Sequence, residues 1–170
     1  MNKKTTFIVH AAVIAALYVV LTLIANALGL ANHAIQIRFS EALTILPLFT
    51  PAAIPGLFIG CLLANFLTGC LIWDIVFGSI ATLLGALGTY ALGTYTLKST
   101  PPAKQYPILG VIPPILANIL IVPYVLAYVY HFEGSIPYFM LTVGLGEILS
   151  CGVLGMLLYR TLSKYKKHLF

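Results

Sequence analysis

The sequence predicts an all-α integral membrane protein, a single domain of six transmembrane helices over residues 1–170 with both termini in the cytoplasm. Three observations predict it. The chain is 61% hydrophobic and only 8% charged, whereas a soluble domain carries about 25% charged residues. A surface that apolar cannot be covered in water, so the bilayer is its natural solvent. Long apolar runs are divided by short polar or proline-rich breaks. The basic residues gather in the breaks that six helices would place on one face.

The first helix spans about 5–28. Lys3 and Lys4 precede it as the basic end of a cleaved leader would. The run then stays uncharged from Thr5 to Ile37, longer than a leader's apolar core of about 7–15 residues, so a spanning helix is expected instead. A polar stretch at 29–40 follows, with Asn32, His33, Gln36 and Arg38. The region from Glu41 to Trp73 holds two short helices and not two full ones. Pro47, Pro51 and Pro55 break it, giving helices at about 40–50 and 53–69. Such short passes are tolerated only where protein covers their ends. The fourth helix spans about 74–97 and ends in the proline-bearing loop 98–104. The fifth and sixth span about 106–130 and 137–160, and a basic tail follows.

Lys and Arg concentrate in cytoplasmic loops. Six passes place the N-terminus, the 98–104 loop and the tail together. That face then holds Lys3, Lys4, Lys98, Lys104, Arg160, Lys164, Lys166 and Lys167, eight of the nine basic residues. Arg38 alone lies opposite. Five or seven passes would scatter the charges over both faces. The same distribution argues against nucleic acid as a partner, despite the net charge of +5.

The four acids are Glu41, Asp74, Glu133 and Glu147, and this topology puts none in the cytoplasm. Glu147 lies about ten residues into the last helix, roughly 15 Å below the outer surface at 1.5 Å per residue. A carboxylate at such depth costs at least about 2.5–3.5 kcal/mol and usually faces a cavity or a partner. Gly144, Ser150 and Cys151, one turn away, leave space beside it. Glu147 therefore contacts a ligand or, as a paired carboxyl, locks helices together. Asn118 reaches a similar depth and either contacts the ligand or bonds a neighbouring helix. Pro113, Pro114 and Pro123 remove i to i−4 hydrogen bonds. That frees the carbonyls of Leu109, Gly110 and Ile119 for ligand N–H groups or for neighbouring helices. Glu41 and Asp74, at outer helix starts, suit either a ligand or the helix dipole, with Asp74 as an N-cap. Arg38, three residues before Glu41, suits a gate or ion pair as well as a solvated loop, and Glu133 reads as a solvated loop charge. Trp73, Phe77, Tyr124, Tyr128, Tyr130, Tyr138 and Phe139 gather at the outer end. Most fit an interfacial belt; Trp73 and Tyr124 are the candidates to stack on a ligand. Carboxylates, an amide and aromatic planes together suit a flat, donor-rich, cationic heterocycle.

Several classes find no support. The chain has no phosphate-binding P-loop, no H-E-x-x-H, no G-x-S-x-G and no Cys/His metal spacing. Cys61, Cys70 and Cys151 read as small packing residues. No cofactor, metal or catalytic residue is expected. No internal repeat of the kind common in secondary transporters is visible, so a partner supplying energy is expected. Ala11/Ala15 and Ala12/Ala16 form two small-xxx-small pairs on the first helix. They suit either docking to that partner or packing within the chain.

Three stretches carry a resemblance: Gln36-Ile-Arg-Phe-Ser-Glu-Ala-Leu-Thr-Ile-Leu-Pro47 with its continuation Thr50–Asn65, Asp74-Ile-Val-Phe-Gly-Ser-Ile-Ala-Thr-Leu-Leu-Gly85, and Gly146-Glu147. Over nearly the whole chain these resemble the queuosine-precursor transporter (QueT) family, substrate-binding S components of energy-coupling factor (ECF) importers. The resemblance implies six helices and a site near the outer face, built from the last three and closed by the loop after the first. It implies assembly with a membrane coupling protein and two cytoplasmic ATPases in a bacterial cell membrane, docked through Ala11, Ala12, Ala15 and Ala16. The implied substrate is preQ1, an aminomethyl 7-deazaguanine, or queuine. Glu147 would then take the guanine edge and Glu41 or Asp74 the ammonium, or the reverse.

Overall fold

The computed structural model describes residues 2–30, 36–99 and 107–169, and among them all regular structure is helical. Asn32, His33 and loop residues 100–104 lie outside the described residues. The elements are α1 (Lys3–Ala27), a 3-10 helix (Phe39–Leu48), α2 (Ala53–Leu67) and α3 (Ile72–Ser99). A 3-10 turn (Pro107–Val111) then leads into α4 (Ile112–Tyr128). Last comes one continuous rod: α5 (Ile136–Glu147), a π turn (Ile148–Leu154) and α6 (Gly155–Leu169). Four stretches are long and apolar enough to cross a membrane: Lys3–Ala27, Ile72–Tyr95, Ile108–Tyr128 and Ile136–Tyr165. The 3-10 helix and α2 are shorter apolar helices, where the proline cluster predicts two short helices.

The polarity of the bundle is inverted relative to a water-soluble protein. Ile8, Val13, Leu17, Val20 and Ile24 of α1 are exposed, while Thr22, Ser40, Thr44, Asn65, Thr82, Thr89, Asn118 and Ser150 are buried. A bilayer rewards that arrangement, since polar groups there find partners only inside the protein. The 3-10 helix is the centre of the bundle, buried from Ser40 to Pro47. Its Leu43 and Leu46 pack with Ile14, Tyr18 and Leu57; its Ile45 packs with Val111 and Cys151. At about 2.0 Å rise per residue, ten residues of 3-10 helix cover about 20 Å, where an α-helix would cover about 15 Å. The tighter winding lengthens a segment otherwise too short to pass through the bundle.

Neighbouring contacts fix the direction of each pass. Tyr18 and Thr22 of α1 bond Glu41 and Ser40, so α1 and the 3-10 helix run antiparallel. Gly56 and Gly60 of α2 seat against Ala11 and Ala15 of α1, so these two run parallel. Gly85 and Gly88 of α3 face Pro114 and Pro113 of α4, an antiparallel pair. A Cβ on Gly85 would stand 2.6 Å from Pro114 Cα, so only glycine admits this approach. α1 and α2 end beside glycines of left-handed backbone, Gly29 at φ 74° and Gly69 at φ 76°, which terminate helices without strain.

Two expectations need correction. Pro113 and Pro114 open α4 rather than interrupt it, because a proline in the first turn lacks only an N–H that has no helical partner there. The Gly110 carbonyl is then not free for a ligand, since Thr89 Oγ1 donates to it at 2.7 Å. Pro123 does lie inside α4 and is fully buried. Asp74 is not an N-cap, because α3 begins at Ile72 and Asp74 lies in its first turn.

Candidate functional site

The polar ends of five elements converge on one tight recess of about 20 Å³. Gln36, Arg38 and Glu41 come from the loop and the 3-10 helix. Asp74, Gly78 and Thr82 come from α3, Asn118 and Val122 from α4, and Val143 and Glu147 from α5. A wider vestibule of about 200 Å³ adjoins it, lined among others by Asn65, Tyr130 and Phe132. Gln36, Arg38, Asp74 and Val122 line both spaces and form the neck between them.

The floor is built around Glu41 and Glu147. Glu41 is only 2% exposed, and Tyr18 Oη donates to its carboxylate. Cys151 Sγ donates to Glu147 Oε2 at 3.1 Å and lies 4.0 Å from Glu41 Oε2. Thr44 Oγ1 donates to the Cys151 sulfur at 3.4 Å. Carboxylate oxygens of both glutamates and the thiol lie within 4.8 Å of one another, close enough to hold a cation jointly. The local cysteine spacing gives no sign of this grouping, because its members come from two distant segments. Two ionised carboxylates so close repel by about 3–4 kcal/mol at an effective dielectric near 20. A cation placed between them removes that repulsion.

The neck is different. Tyr130 Oη donates to Asp74 Oδ2 at 2.9 Å and accepts from the Leu71 N–H at 3.3 Å. Burial, with Asp74 beside it, holds the Tyr130 phenol above its ordinary pKa, so it stays a donor. Arg38 Nη1 donates to Asn65 Oδ1 at 3.3 Å. Burial works against the charge of Arg38, but nearby Asp74 and other acidic groups more than offset it. The loop backbone is pinned as well: Arg38 N–H donates to Ser150 Oγ at 3.1 Å. A Cβ on Gly146 would run into the Gln36 carbonyl oxygen, so the loop seats directly on α5.

The structure therefore brings together Glu147, Asn118, Glu41, Asp74 and Arg38. It does not bring Trp73 or Tyr124 to them. Trp73 is 57% and Tyr124 46% exposed on the outer surface of the bundle, where they stack on Phe77 and Tyr128 instead. Glu41 lies in the first turn of the 3-10 helix, as expected, and also forms part of the floor. Arg38 bonds Asn65 and lies near enough to both Asp74 and Glu41 for their charges to act on it, while Glu41 accepts from Tyr18. Sequence reasoning missed Tyr18 and Asn65 as neighbours of the site, and took Cys151, one turn from Glu147, for a space-leaving residue rather than a donor to it. Cys151 stands four residues from Glu147, a spacing that places both on one helical face, so its role was detectable. The alanine pairs also separate: Ala15 is buried and Ala11 half-buried against α2, whereas Ala12 and Ala16 are exposed.

Fold and recess together define a small, all-helical membrane transport protein with a polar binding chamber. The chain belongs to the QueT transporter family, whose model matches residues 8–164. A segment of 85 residues is 36% identical to a protein of Lactococcus lactis subsp. cremoris (strain MG1363) described as "Queuosine precursor transporter QueT". The match covers 49% of this chain and only 50% of that relative. No solved structure matches the chain.

Proposed function

We propose that this chain is the substrate-binding S component of an ECF importer. It captures a queuosine precursor of the 7-deazaguanine type, preQ1 or queuine, at the outer face of a bacterial plasma membrane. The observation that carries this reading is the floor: Glu41 and Glu147 converge beside Asn118 at the bottom of a polar recess that opens into the vestibule. A deazaguanine edge supplies N–H donors to such acceptors, and the aminomethyl group of preQ1 supplies the cation. The family and the description of the L. lactis relative support the same substrate class. The helical passes alternate in direction, which agrees with six crossings and cytoplasmic termini. The recess then opens outward, and the loop bearing Arg38 closes it.

ATP hydrolysis belongs to partner subunits in this reading. A coupling protein would dock on the exposed Ala12 and Ala16, which lie in an apolar groove with Phe7, Ile8, Ile59 and Leu63. The purified chain should bind preQ1 or queuine with submicromolar Kd by calorimetry. Failure to bind either, or any related deazapurine, removes the substrate assignment. Ala16→Trp should abolish uptake and copurification with a coupling protein and ATPases while leaving Kd unchanged. Uptake in cells that lack any coupling module would overturn the dependence on partners.

A further inference from the structure

We infer that Arg38 is a tethered stand-in for the ligand's cation: it lends its charge to the floor until a ligand arrives, then yields to the ligand's ammonium by withdrawing toward Asn65 and Asp74. This rests on the substrate-binding reading above and adds a step to it, the exchange of one cation for another. Arg38 and Asp74 line both the recess and the vestibule. Glu41 belongs to the recess and Asn65 to the vestibule, so the arginine stands between an acid on one side and an amide on the other. Its hydrogen bond lies on the vestibule side, from Nη1 to Asn65 Oδ1. Asn65 is 1% exposed, and its amide nitrogen donates to Cys61 Sγ at 3.6 Å, which keeps the oxygen turned toward Arg38. The charge of Arg38 acts on both sides. Burial works against that charge, but Asp74 most strongly and Glu41 more weakly favour it.

Space makes the exchange necessary. A recess of about 20 Å³ holds roughly one water, so a wall must move before a heterocycle reaches the floor. Most of the polar wall is tied down: Tyr18 bonds Glu41, Cys151 and Asn118 bond Glu147, and Tyr130 bonds Asp74. The Arg38 side chain is held least. It is half-buried, and its side chain keeps one hydrogen bond among the described residues, at 3.3 Å. Charge-assisted contacts of a guanidinium are usually about 2.7–2.9 Å. Its backbone is fixed instead, with the N–H on Ser150, so the side chain swings without the loop moving. A ligand ammonium and the guanidinium repel each other and cannot share Glu41. Asp74 stays with Arg38, so the arginine withdraws without losing its strongest acid. Buried carboxylates then feel a cation before and after the exchange, which the low dielectric of the bundle favours.

The test uses the purified full-length chain and preQ1, read by stopped-flow association and calorimetry. Arg38→Met keeps the apolar stem and removes the competing charge. It should speed association and tighten Kd, each by about 10-fold, as when a competing arrangement populated about 90% of the time is removed. Arg38→Lys keeps the charge and should return association to near the wild-type rate. Methylguanidinium at millimolar concentration should slow association in Arg38→Ala and leave wild type unchanged, with sodium chloride at equal ionic strength as the control for screening. A side chain that only holds the loop would not respond to the added ion. Asn65→Ala keeps the arginine and covers the case in which no Arg38 variant folds. It removes the hold on the vestibule side and should slow association by about 3-fold. Weaker or unchanged binding in Arg38→Met makes Arg38 a ligand contact or a structural residue, and overturns the inference while leaving the substrate reading intact. Unchanged or faster association in Asn65→Ala does the same. No wild-type binding of preQ1 or queuine overturns both.

Discussion

At the neck of the recess, Asp74 accepts from Tyr130 and lies near the Arg38 guanidinium. At the floor, Glu41 and Glu147 lie close together and take neutral donors, Tyr18 on Glu41 and Cys151 on Glu147. Both regions hold buried carboxylate; the charge of Arg38 reaches Glu41 as well, but Asp74 acts on it most strongly of the acids, and Arg38 itself bonds across to Asn65. The difference teaches which acid does which work. A compensated carboxylate holds structure together, and here it joins α3 to the loop and to the end of α4. A clustered pair that hydrogen-bonds only neutral donors keeps its attraction for a cation that arrives from outside. If this contrast is right, removing charge from the floor should hurt affinity most, and removing it from the neck should chiefly alter access.

The largest effect is expected at the floor. Glu147→Gln keeps the shape but loses charge-assisted acceptance, and should weaken preQ1 binding by about 1.5–3 kcal/mol, or roughly 10- to 150-fold. Titration calorimetry checks this, and full affinity would remove Glu147 from the site. Next comes the seat of the loop. Gly146→Ala places a methyl group where the Gln36 carbonyl lies, and overpacking of this kind costs about 1–3 kcal/mol. It should show mainly as faster ligand release in stopped-flow traces. Unchanged release would mean that the loop does not close the recess.

The sequence made this architecture legible because membrane burial leaves coarse marks: run length, proline breaks and the side on which lysines fall. Helix starts matched within a few residues, even for the short second helix, but the last helix runs on to Leu169, past the expected end near 160. Its 3-10 winding was not legible, since Phe39–Leu48 carries ordinary apolar residues and only the distance to be covered tightens it. Glu147 and Asn118 could be read as a pair because depth follows from counting residues along a helix. Depth says nothing of azimuth, however. Trp73 and Tyr124 sat at the right height and on the wrong face. Tyr18 escaped notice because its link to Glu41 joins the first helix to the second across the bundle, and no local pattern marks it.

A smaller effect is expected at the neck. Asp74→Asn retains an acceptor for Tyr130 but no longer offsets Arg38. Equilibrium affinity should fall by less than about 1 kcal/mol, well below the loss at the floor, since Asn preserves the neutral hydrogen bond. Association and release rates should move together, as the Arg38 loop loses one of its anchors. An affinity loss equal to that of Glu147→Gln would dissolve the distinction between neck and floor, and would place the ligand's cation at Asp74.

The smallest effect tests the boundary of the site itself. Trp73 and Tyr124 have the chemistry to stack on a flat ring, and a chamber of this kind is where such residues are often sought. Their rings instead lie on the outside of the bundle, beside Phe77 and Tyr128, where amphipathic rings meet lipid headgroups. Val122 and Val143 occupy the wall they would have formed. Trp73→Ala and Tyr124→Ala should therefore each change preQ1 affinity by less than about 0.5 kcal/mol, as for surface substitutions remote from a site. Any loss should appear instead in expression or in stability within a bilayer. A tenfold loss of affinity in either variant would mean that the ligand reaches past Val122 to the face of α4 that the recess leaves outside.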